Sequence, residues 1–178
     1  PFRLQLQSRF TVLLIEMSKL VLLLLIVAAF HSSAQQARCV GLHKYFFPNF
    51  KANWFKANEY CNYLGMRLAI ISSQEDQSKL IEVLKSTDQF SPSKTEVWIG
   101  ASDLAEEGNF HWVATGTRLL QFSKWHPHQP DNGNGAEHCL ELRYIPSEGW
   151  DWHWNDRSCS TSHYFACENV EGREIVLF

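Results

Sequence analysis

Five residues between positions 129 and 156 offer side-chain oxygen to one another's neighbourhood: Gln129, Asp131, Glu137, Asn155 and Asp156. All are carboxylates or carboxamides, so no thiolate or imidazole is needed to complete the group. A donor set of this kind suits a hard cation such as Ca²⁺, which takes roughly 6–8 oxygens in a flexible shell. Five side chains meeting on one ion leave coordination positions facing solvent, where paired hydroxyls of a sugar can sit. Taken singly, each Asn or Asp here reads as a turn residue, because these side chains cap their own turns and tolerate positive φ. The combination is what carries the chemistry.

The pattern has a known counterpart. Gln129-Pro130-Asp131, Glu137 two residues before Cys139, Trp154-Asn155-Asp156 followed by Cys159, and Trp98-Ile99-Gly100 resemble the C-type lectin carbohydrate-recognition domain, from about Leu42 to Cys167. The resemblance implies an α+β fold with two helices, small antiparallel sheets and a long calcium-binding loop, stapled by disulfides. It implies Cys61–Cys167 and Cys139–Cys159 as the bridges; spacing alone does not choose the pairs. It implies that Gln129, Asp131, Glu137, Asn155 and Asp156 hold calcium and hydrogen-bond the sugar, with Pro130 in the cis form. The Gln-Pro-Asp order resembles galactose-type members, and Glu-Pro-Asn marks mannose-type ones. Galactose binders often carry a stacking aromatic just after this motif, where Asn132, Gly133, Asn134 and Gly135 stand here; Trp150, Trp152 and His153 are the candidates to replace it, against ordinary core or loop anchoring. A second calcium set would be Asp103, Glu107, Asn132 and a shared Glu137, although His138 stands where family members carry an acid. Small secreted lectins of this kind, invertebrate ones included, often serve innate immune pattern recognition.

The rest of the chain must position those residues. Residues 1–16 read as an upstream or leader extension and 17–34 as a secretory signal: Met17, Lys19, an apolar run from Leu20 to Phe30, then Ser32-Ser33-Ala34. That run is shorter than the ~20 residues a membrane span needs, so no span is expected in the mature chain. Residues 35–168 form the domain and 169–178 a tail. Secretion places the five cysteines in an oxidising compartment, where they read as a disulfide framework. Cys39 is left over: free, capped, or joining two chains in a disulfide-linked dimer.

Asn53 to Leu64 is predicted helical, capped by Asn53 and stopped by Gly65, with Ala57, Tyr60, Cys61 and Leu64 on its apolar stripe. Arg67 to Ile71 reads as a strand. Ser72 to Glu75 reads as a capping box opening a second helix with Leu80, Ile81 and Leu84 inward. Ser86 to Thr95 is loop, Val97 to Gly100 and Phe110 to Val113 are strands, and Thr115 to Pro146 is a long irregular segment. Loops of that length in compact domains are functional or disordered, and bound calcium would order this one. His163 to Cys167 reads as a closing strand.

Other chemistries lack their residues. The net charge of −3 and scattered basic residues give no nucleic-acid surface. His126, His128, His138, His153 and His163 lack the helix-face spacing of a zinc site, and most read as surface or loop residues, with His126 and His128 able to make binding pH-sensitive. No nucleophile has an assignable base, so the chain is not expected to be an enzyme. Two alternatives to a glycan-binding lectin are a lectin-like module for a protein partner and a metal-dependent secreted hydrolase. The first often lacks the calcium residues that are intact here; the second needs a base and activated water that the sequence does not supply.

Overall fold

The computed structural model describes Lys19, Val21 and residues 44–170. The expected leader extension, the rest of the expected secretory signal, Cys39 and the tail beyond residue 170 lie outside the described residues. Among the described residues, no helix is long and apolar enough to cross a membrane.

The two expected helices form. Helix α1 (Trp54–Tyr63) starts at Asn53, whose side chain accepts the Lys56 N–H at 2.9 Å, and Gly65 at φ 74° ends it. It buries Trp54, Ala57 and Cys61, with Tyr60 half-exposed at the edge. Helix α2 (Gln74–Lys85) is capped one residue later than its sequence suggests. Ser73, not Ser72, accepts the Asp76 N–H, and the Asp76 carboxylate reaches back to the hydroxyls of Ser72 and Ser73 at 2.7 and 3.0 Å. Glu75, freed of that role, pairs with Lys79 one turn on. Leu80 and Leu84 are fully buried on the inner face, and Gln77 lies between them and the sheet.

Among the described residues, nine strands form two sheets. The first and last described strands meet in a small antiparallel one, in which β9 (Cys167–Glu168) lies between β1 (Tyr45–Phe46) and β2 (Arg67–Leu68). The larger sheet runs β5 (Thr117–Arg118), β4 (His111–Trp112), β3 (Thr95–Ser102), β6 (Cys139–Ile145), β7 (Trp150–Arg157), with β8 (Tyr164–Phe165) parallel to β3. Strand β6 corrects the expectation of one irregular stretch to Pro146. Leu140, Leu142 and Ile145 are buried, and the ladder from Cys139↔Arg157 to Ile145↔Trp150 places β7 beside it. The Trp-Asn-Asp motif therefore sits on a strand. The expected closing strand divides, Tyr164–Phe165 going to one sheet and Cys167–Glu168 to the other.

The main core packs Leu80, Leu84, Val97, Ile99, Leu140, Leu142, Trp152 and Trp154 between α2 and the large sheet. A second core under α1 holds Trp98, Phe165 and the half-cystines. Gly100 lets these layers meet: a Cβ there would lie 2.7 Å from the Leu68 carbonyl oxygen. Cys61 bridges Cys167 across a sequence separation of 106, which in the chain-entropy account removes about 4.7 kcal/mol of freedom from the unfolded chain. Cys139 bridges Cys159, joining the start of β6 to the segment after β7.

Candidate functional site

Strand β7 supplies the fixed side of the site and the preceding loop folds back onto it. Trp154 donates its backbone N–H to Lys124 at 2.7 Å and accepts that of His126 at 3.0 Å, so residues 124–126 run alongside the strand. The chain then turns through a cis Gln129-Pro130 bond and reaches Asp131. There the half-buried loop is tied down by Asp156, whose two carboxylate oxygens accept the backbone N–H groups of Asp131 at 3.2 Å and Asn132 at 2.7 Å. Asn132 and Asn134 take positive φ of 44° and 57°, which Asn tolerates best among residues with a side chain. Asn132 Oδ1 accepts the Glu137 N–H at 3.0 Å, which turns the loop back toward β6.

Carboxylate oxygens of Asp131, Glu137 and Asp156 consequently lie within 4.8 Å of one another. Burial raises the Glu137 carboxyl above the ordinary 4.5, and the negative charges of Asp156 and Asp131 push it the same way, against the Arg157 guanidinium. Burial likewise raises Asp156 above 3.8, although its bonds from backbone N–H groups oppose the shift. Three acids this close repel one another unless a cation joins them. Two further observations fit such a cation. Gln129 Oε1 is buried and has no hydrogen-bond partner, a costly state for an amide oxygen. Gly133 also leaves space for the Glu137 carboxylate, since a Cβ there would lie 2.8 Å from its Oε2. All the donors are oxygens, which suits a hard ion.

Asn155, the fifth predicted ligand, is 3 % exposed. Its Nδ2 donates to Glu141 Oε1 at 2.8 Å across the β6–β7 ladder. Sequence reading missed Glu141. It is fully buried, and burial drives its carboxyl up to about 7. Its signal was the Leu-Glu-Leu alternation at 140–142, an acid in an otherwise apolar strand. His163, at the start of the expected closing strand, is buried, with Nε2 3.1 Å from Glu141 Oε2, and burial lowers its pKa. Arg157, also unremarked in the sequence, places its guanidinium 3.2 Å from Glu137 Oε1.

The second predicted set assembles differently. Asp103 and Glu107 meet His138, whose Nδ1 lies 3.2 Å from an oxygen of each. The other Asp103 oxygen accepts the Gly108 N–H at 2.8 Å. Asn132 and Glu137 belong to the Asp156 cluster instead. The proposed stacking aromatics are also occupied. Trp152 is a core residue, 5 % exposed and stacked on Tyr144 at 4.6 Å. Trp150 is covered by the His126 ring at 3.9 Å and approached by Arg143 at 4.5 Å. His153 meets the edge of His126 at 5.3 Å. A period of two along β7 sends Trp152 and Trp154 to the same core face, which the sequence pattern already contained.

Comparisons with known proteins agree with this architecture. The salivary C-type lectin 1 of Aedes albopictus is 45 % identical over 138 residues, covering 78 % of this chain and 90 % of that protein. Among solved structures, the mouse scavenger receptor C-type lectin carbohydrate-recognition domain is 29 % identical, with a TM-score of 0.57 over 70 % of this chain and 88 % of that one. The C-type lectin CEL-I of Cucumaria echinata is 28 % identical, with a TM-score of 0.56 over 71 % and 89 %. The Lectin C-type domain family model matches residues 50–169. The chain belongs to the C-type lectin domain family.

Proposed function

We propose that this chain is a secreted lectin that binds glycans through calcium and favours the galactose type. The observation that carries the reading is the buried, unpartnered Gln129 Oε1, two residues before Asp131 in the three-carboxylate cluster. Gln129, Asp131, Glu137, Asn155 and Asp156 would hold the ion. Calcium bound there supplies an anchor for two neighbouring sugar hydroxyls. The same side chains meet those hydroxyls: the Gln129 and Asn155 amides as donors, the carboxylates of Asp131 and Glu137 as acceptors. The acid–amide order around Pro130 sets which hydroxyl meets which, and supports galactose over mannose. With Trp152 in the core and Trp150 under His126, selectivity rests on hydrogen bonds more than on stacking. The salivary relative supports secretion and an extracellular role such as glycan pattern recognition.

A glycan array run in calcium and again in chelator tests the reading. Galactose-type ligands should be retained in calcium and released by chelator. Retention that survives chelator would remove the ion from the mechanism, and a mannose-first ranking in calcium would remove the galactose assignment.

A further inference from the structure

We propose that Glu141 is a positioning residue for this site: it holds the Asn155 amide by its nitrogen, so that the oxygen is the end left for a cation. The inference rests on the calcium reading above and adds a residue to it. Leu140 and Leu142 turn into the main core, so Glu141 faces the other side of β6, directly opposite Asn155 on β7. It is fully buried, where a carboxylate is costly unless it is engaged. Its Oε1 accepts from the Asn155 amide at 2.8 Å, with Arg143 3.7 Å away, whereas its Oε2 lies 3.1 Å from His163 Nε2 without a hydrogen bond.

A carboxamide has two ends of opposite polarity and nearly equal shape, so half a turn about its last bond exchanges donor for acceptor. A metal takes only the oxygen end. Glu141 Oε1 accepts from Asn155 Nδ2 at 2.8 Å, so the contact engages the nitrogen end of the amide. The two demands are complementary, and among the described residues Asn155 Oδ1 accepts no hydrogen bond that would compete. Groups that orient a metal ligand from behind typically change affinity 10–100-fold when removed.

The test compares wild type with Glu141→Gln, which keeps an acceptor, and Glu141→Met, which has none but similar bulk. Calcium binding by titration calorimetry should stay close to wild type in Glu141→Gln and weaken roughly 10–100-fold in Glu141→Met. Melting in chelator should show both variants folded. In metal-free protein, the Asn155 side-chain NH₂ protons should exchange slowly with solvent in wild type and Glu141→Gln, and fast in Glu141→Met. Wild-type calcium affinity in Glu141→Met overturns the proposal, as does a Glu141→Gln affinity as low as that of Glu141→Met. Should Glu141→Met fail to fold, fast Asn155 exchange in metal-free wild type overturns it instead. Absence of calcium binding by wild type would sink the site reading, leaving the exchange measurement to judge Glu141 separately.

Discussion

Two clusters of potential ligand atoms lie on either side of residues 137–138, and they differ in what neutralises them. Around Asp156, three carboxylates converge, and Gln129, two positions before one of them, has a buried amide oxygen without a partner. Around Asp103, two carboxylates converge on an imidazole, and His138 Nδ1 lies 3.2 Å from both. The first group is short of positive charge. The second carries a potential cation of its own, on a side chain that donates nitrogen where calcium wants oxygen. Neighbouring residues in one strand approach, Glu137 and His138, thus serve opposite ends: one adds to an acidic group and the other closes one.

The contrast is tested most severely at the first cluster. Asn155→Ala or Asp156→Ala should abolish calcium-dependent sugar retention, because each removes a donor and Asp156 also releases the N–H groups of Asp131 and Asn132. Both variants should still fold with both disulfides, since the core on either side is untouched; circular dichroism and a non-reducing peptide map check this. Wild type, but neither variant, should gain thermal stability on adding calcium, by about 2.7 kcal/mol at 100 times Kd. Loss of fold in saturating calcium would make the Trp-Asn-Asp segment a structural element first.

The second test keeps the ion and exchanges its surroundings. Gln129→Glu combined with Asp131→Asn conserves one acid and one amide, so calcium affinity should change little. Donor and acceptor are reversed toward the two hydroxyls. A mismatched pair costs roughly 1–3 kcal/mol, enough for about a 10-fold shift of preference from galactose toward mannose. Competition by the two monosaccharides on one resin measures it; an unchanged ranking would direct attention to His126 and His153 at the rim.

Much of this site was written in residue types. The proposed ligand set and the cis bond before Pro130 were implied by resemblance to motifs that are contiguous in sequence, and Asn53 caps α1 because capping is a local interaction. What escaped depends on pairing. Glu141 acquires meaning only when β6 lies against β7 and brings it opposite Asn155, which no spacing reveals. Strand β6 itself was hidden because its apolar residues, Leu140 and Leu142, follow a Gly- and Asn-rich stretch that dominates any window drawn across them. Trp152 looked available for stacking because an indole beside a polar motif serves core and ligand equally well. Its burial against Tyr144 decides between them. The one-residue slip at α2 came from choosing Ser72 and Glu75 over the equally spaced Ser73 and Asp76.

The second cluster can be converted toward the first. Wild type should bind one calcium per chain, because His138 occupies the approach to Asp103 and Glu107. His138→Asp replaces the imidazole by a third carboxylate and should add a second, weaker site, read as a stoichiometry of about two in calorimetry. A wild-type stoichiometry of two would mean that the imidazole swings away and the clusters are equivalent after all.

The smallest expected effect concerns Arg157, a cation that does touch the first cluster. Arg157 places its guanidinium 3.2 Å from Glu137 Oε1, but its side chain is 43 % exposed, whereas His138 is 26 % exposed between its two acids. A contact of that kind is screened by water and salt and is typically worth about 0–1 kcal/mol. It competes with an ion for one oxygen of Glu137 without blocking the others. Arg157→Gln should therefore raise calcium affinity by no more than about 5-fold. The gain should shrink as salt rises from about 0.01 to 1 M, because the Debye length falls from ~30 to ~3 Å. A large, salt-independent gain would show that Arg157 closes the first cluster as His138 closes the second, and the distinction between a rim contact and a built-in imidazole would fail. A loss of affinity would instead mean that Arg157 holds Glu137 in place for the ion, and that its role is orientation rather than competition.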